Sequence, residues 1–171
     1  MCYFLYIASP LTLSEVRSML PPGVTADLAT QADLKTLQAM HPQAKTVALL
    51  MAGRCSCDLV RTRLADPRED ERHLRTRYRS LGICRPATIA ALERHRRGAA
   101  SRTPMEGWPV ALAKFVAEHA RNAGPTLYLL SFEPNAGVPR HGSDSTPATC
   151  SLREIGLNPD GWLIEGTPVM V

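Results

Sequence analysis

Cysteines at positions 2, 55, 57, 84 and 150 are the residues of this 171-residue chain whose type and spacing suggest chemistry. Cys55-Ser56-Cys57 sets two thiols one residue apart, just after Gly53, which permits a sharp turn. Two thiolates at that spacing chelate a single soft or borderline ion when the backbone turns there. In an extended strand their Cβ atoms would stand about 7 Å apart, wide of the roughly 3.5–4.5 Å a disulfide needs. Chelation therefore fits the spacing better than a Cys55–Cys57 disulfide. The odd cysteine count and the absence of a secretory leader pattern point the same way, towards reduced thiols.

Cys2 opens an apolar run, Cys2–Ala8, and Thr46–Ala52 is a second run that leads into the Cys-x-Cys. Both read as buried strands of about 23 Å. If they run antiparallel, Cys2 lies at the same end as Cys55 and Cys57; if parallel, a full strand separates them. The candidate metal ligands are thus Cys2, Cys55 and Cys57, holding zinc or copper(I), with Asp58, His73, Cys84 or water as a fourth ligand. Cys84 and Cys150 read as core or cap residues.

Met1-Cys2-Tyr3-Phe4-Leu5-Tyr6-Ile7 followed by Gly53-Arg54-Cys55-Ser56-Cys57 resembles a family of small uncharacterised bacterial proteins. The resemblance covers about the first 60 residues and implies only that Cys2 belongs with Cys55 and Cys57. An opening Met-Cys also resembles the class II glutamine amidotransferases. Removal of Met1 would leave Cys2 with a free α-amine to serve as base for its own thiol. No glutamine-clamping or oxyanion motif of that family follows, and Asn158-Pro159-Asp160-Gly161-Trp162, similar to its Asn-x-Asp-Gly-Trp element, stands near the wrong end of the chain.

A third reading comes from charge. The net +4 is uneven: positions 54–102 hold thirteen arginines against six acidic residues, an excess of +7, and the remainder is −3. Such a segment attracts an anionic partner, nucleic acid or an acidic protein, and Arg72, Arg75, Arg79, Arg94, Arg96 and Arg97 could meet phosphates. Against this, Glu69, Asp70 and Glu71 interrupt the run, Glu71 and Arg75 form an i,i+4 pair, and Tyr78 is the only aromatic there. A solvated helix face accounts for the pattern without a ligand. Among the histidines, His119 falls on the apolar face of a helix and reads as a satisfied core residue, while His141 in a turn-rich stretch could face a thiol. No Walker A, Rossmann glycine fingerprint, G-x-S-x-G or HExxH motif is present.

Positioning these residues takes an α/β fold. With 44% hydrophobic and 21% charged residues the chain has an ordinary globular composition. Its longest apolar run, Val47–Ala52, is far short of the roughly 20 residues of a membrane span. A cytoplasmic location is the expectation. Helices are expected after Thr12 and Thr30, from Asp66-Pro67 to Gly82, over Pro86–Arg97 and over Pro109–Asn122. A third strand is expected at Thr126–Phe132, a long loop at Glu133–Thr149, and short strands at Trp162–Glu165 and Thr167–Val171. The expectation is one α/β domain over 1–171, a mixed sheet of about 4–6 strands packed by about 4–5 helices.

Overall fold

A computed structural model describes residues 2–53, 55–60, 67–100, 108–133, 146–159 and 161–171. The chain divides into two compact units, Met1–Arg61 with Gly107–Val171, and Thr62–Glu106 between them in sequence. Where one domain is expected over 1–171, the chain thus divides into two units, the helical one inserted in the sequence of the α/β one.

The larger unit is built on six strands: β1 (Cys2–Ser9), β2 (Val24–Leu28), β3 (Thr46–Ala52), β4 (Leu127–Glu133), β5 (Ala148–Thr149) and β6 (Pro168–Met170). Their order is β2-β3-β1-β4-β6-β5, every neighbouring pair antiparallel except β5 with β6, so the sheet is mixed as expected. Among the described residues five helices belong to this unit: α1 (Leu13–Met19), α2 (Gln31–Met40), α3 (Cys57–Val60), α6 (Trp108–Ala123) and α7 (Leu152–Leu157).

Alternation along the strands separates two apolar clusters. Leu5, Ile7, Ala48, Leu50, Tyr128 and Leu130 pack with Val16 of α1, Leu59 of α3, Phe115 and Val116 of α6 and Ile155 of α7. On the other face Tyr6, Ala8, Val47, Leu127 and Leu129 pack with Leu37 of α2. Burial on both faces explains why β1, β3 and β4 read as continuous apolar runs rather than alternating ones.

The smaller unit contains α4 (Pro67–Ser80) and α5 (Arg85–Ala100), which contact each other. Its connection closes as the sequence predicts at Gly82. That glycine has φ +69, and hydrogen bonds run from Gly82 N to Arg79 O and from Ile83 N to Tyr78 O, the pair that ends a helix in a left-handed cap. The two helices each turn only a narrow face inward. Leu81 lies beyond the last turn of α4 and is 44% exposed, while Leu74 and Tyr78 are buried. On α5, Ile89 and Ala90 are exposed, and among the described side chains Thr88, Ala91 and Leu92 are buried. A pair of helices shares only a narrow face, and a small residue such as Ala91 suits close approach.

Trp162–Glu165 is not a strand; it makes a single bridge, Glu165 with Leu130. Trp162 is buried instead by edge-on packing against Tyr128 at 5.4 Å. The stretch expected as a loop over Glu133–Thr149 contains β5 at its end, and its residues 134–145, His141 among them, lie outside the described residues.

Candidate functional site

The antiparallel alternative holds: β1 pairs with β3 in the register Leu5↔Leu50 through Ser9↔Thr46. Pairing between the two strands stops at Leu5, and the Cys-x-Cys segment takes over. Ala52 N donates to Cys55 O at 3.0 Å, closing a tight turn that begins at Gly53 with φ +76. Ser56 N then donates to Tyr3 O at 2.9 Å, and Tyr3 N donates to Cys57 Sγ at 3.2 Å. The first residues of β1 are therefore bracketed by the cysteine segment rather than by β3.

Ser56, the spacer of the motif, is the organiser of this junction. Its fully buried hydroxyl accepts from Leu5 N at 2.8 Å and donates to Leu50 O at 2.5 Å. It stands as a wedge between two strands whose backbone groups would otherwise face each other. A small hydroxyl residue between two cysteines is the only sequence signal for it.

Cys57 Sγ lies 3.2 Å from Tyr3 N, and Tyr3 N is joined to Cys2 through one peptide carbon. The Cys57 sulfur is thus no more than about 6 Å from Cys2 Cα. Cys55 is buried and Cys57 half-buried, at the mouth of α3. A main-chain N–H directed at sulfur suits a sulfur that carries negative charge, the form that binds metal. Among the described side chains no three His, Cys, Asp or Glu form a group able to hold a metal ion. The side chains of Cys2, Asp58 and His73 are outside that set.

No family model, curated protein or solved structure matches this chain.

Cys84 is exposed and belongs to the helical unit, where its carbonyl accepts from Thr88 N and so caps α5. Cys150 lies beside Ser151, the N-cap of α7. Burial and the Glu154 carboxylate raise the Cys150 thiol above its ordinary range, so it stays protonated, which suits neither a nucleophile nor a ligand. Asn158, Gly161 and Trp162 line a cleft of about 390 Å³ with Cys150 and Glu154. That cleft adjoins β6, which pairs with Leu127–Leu129, whereas Cys2 pairs with Glu133 at the opposite end of β4. The amidotransferase-like element and Cys2 are therefore not brought together.

Gly53 fixes the direction of the turn. An added Cβ there meets nothing within 4 Å, so only backbone strain opposes a substitution. Gly53→Ala is expected to lower stability by about 1–2 kcal/mol, seen as an earlier midpoint in urea. An unchanged midpoint would mean the turn relaxes freely.

Proposed function

We propose that this protein binds a thiophilic metal ion, zinc or copper(I), through Cys2, Cys55 and Cys57. The observation that supports the reading most is the Tyr3 N–H to Cys57 Sγ hydrogen bond, because it fixes the backbone of Cys2 beside the Cys-x-Cys. Two metal–sulfur bonds of about 2.3 Å each span such a gap. The tight turn at Gly53 and the wedge at Ser56 hold the segment before any ion arrives, which limits the ordering needed on binding. A fourth position is open to Asp58 or water.

Elemental analysis of the protein, purified without a histidine tag under reducing and chelator-free conditions, tests this. Close to one zinc or copper per chain is expected, with none in a Cys55→Ser/Cys57→Ser variant and a large loss in Cys2→Ser. A parent protein free of metal that also takes up none from added zinc or copper(I) would overturn the reading.

A further inference from the structure

We infer that the α4–α5 hairpin is a docking surface for double-stranded nucleic acid, gripped through its phosphates. This surface is independent of the cysteine site. The unit Thr62–Glu106 carries eleven arginines, no lysine and six acidic residues, a net charge of +5. On α4, Leu74 and Tyr78 are buried, and Arg72, Arg75 and Arg79 are exposed on one flank, within about 60° of arc at 3.6 residues per turn. On α5, Arg85 and Arg96 are exposed on one flank as well.

Glu71 ties the two flanks together. Its carboxylate accepts from Arg75 Nε and Nη2 at 3.2 and 2.7 Å, and from Arg96 Nε and Nη2 at 3.0 and 2.6 Å. The paired arginines hold that carboxyl below its ordinary range. Each guanidinium keeps its second terminal nitrogen outside these bonds, and both side chains remain about half exposed, 47% and 58%. One carboxylate thus fixes two guanidinium groups from different helices while cancelling only one of their charges. Glu93 lies near Arg96 as well, yet among the described side chains five arginines against these two carboxylates leave this flank positive.

The kind of partner follows from what the flank lacks. Tyr78, its aromatic neighbour, is 2% exposed and cannot stack on a base, which disfavours single strands. Leu81 and Ile89 are the large apolar side chains exposed on the described part of the hairpin, too few for the apolar centre of a protein interface. Arginines presented in a row match a phosphate backbone, which accepts their forked N–H donors.

The test is titration of fluorescein-labelled 20-base-pair DNA, and RNA of the same sequence, against the full chain from 50 to 200 mM salt. Micromolar binding that weakens linearly in a log–log plot is expected. Arg72→Gln/Arg79→Gln should reduce the slope by about 2, at about 0.9 per phosphate contact. An Arg121→Gln/Arg153→Gln variant removes the same charge from exposed sites outside the hairpin and should leave the slope unchanged. Far-UV circular dichroism checks that both variants fold. Failure of either duplex to bind at 50 mM salt, or equal slope changes in the two variants, would overturn the assignment.

Discussion

Ser56→Ala is expected to destabilise the protein more than any other removal of a single oxygen in the cysteine junction, by about 2–4 kcal/mol. The hydroxyl satisfies two main-chain groups at once, Leu5 N–H and Leu50 C=O, and all three residues are fully buried. Removing it strands one donor and one acceptor where water cannot replace the bond, each at about 1–3 kcal/mol. Closing the gap by moving β3 towards β1 is opposed by the residue itself, since the Ser56 backbone stays bonded to Tyr3 O. Thermal denaturation reads the effect as a midpoint lowered by on the order of 10 °C. A loss below 0.5 kcal/mol would mean that the strands re-pair without the wedge. Its location has a consequence for function: the residue that bridges β1 and β3 is the one set between the two thiol-bearing cysteines.

How far the sequence exposes this design varies from element to element. β1, β3 and β4 are legible because each buries most of its length, so apolar content alone marks them, and α6 because Leu112, Phe115, Val116 and His119 recur on one buried face. α1 and α7 begin with the same reciprocal cap, Thr12 with Glu15 and Ser151 with Glu154. Only the first is readily seen, because Leu13, Val16 and Met19 follow it at helical spacing, whereas the six residues of α7 bury Ile155 alone. β2 escapes for a similar reason. It is an edge strand with one buried residue, Ala26, and ends on Leu28 at 66% exposure, so no alternation appears. β5, two exposed residues long, has no pattern to show.

The same contrast applies to the candidate site. Residue types and spacing single out Cys2, Cys55 and Cys57, but whether they share an end of the sheet depends on strand direction, which no local pattern encodes. That direction is a property of the long-range pairing of β1 with β3 across about forty residues of chain. Ser56 is hidden for a different reason. A serine offers nothing to hydrophobic periodicity, and its role exists only once two strands diverge around it.

His119 should make the stability of this protein fall with acid in a window well above that of its carboxylates. The ring is fully buried on α6, between Ser9 and Thr126. Thr126 Oγ1 donates to Gly124 O at 3.1 Å, so its oxygen is left to accept Nδ1–H from His119 at 3.3 Å. The Ser9 hydroxyl, which already accepts from Leu11 N, then donates to Nε2 at 3.0 Å. This chain of bonds assigns a neutral imidazole protonated on Nδ1. Burial lowers the His119 pKa to about 4, against roughly 6.5 in an unfolded chain.

Between those values the unfolded state binds the proton and the folded state does not, so stability declines as pH falls from about 6.5 and levels off near 4. At about 1.4 kcal/mol per unit the full loss is about 3–4 kcal/mol. Glu15, Glu71 and Glu154, all held below their ordinary range by hydrogen bonds, act in the same direction but at lower pH. Their stabilisation is complete above the ordinary carboxyl value near 4.5 and is lost only below it. Urea denaturation at pH 7.5, 6.0 and 5.0 therefore isolates the histidine. His119→Gln keeps an amide donor and acceptor but cannot titrate. It should start about 1–2 kcal/mol less stable at pH 7.5 and converge on the parent as the pH drops. Parallel curves for the two proteins would show that the acid sensitivity arises elsewhere, and that the buried Ser9–His119–Thr126 chain accepts a proton without loss of the fold.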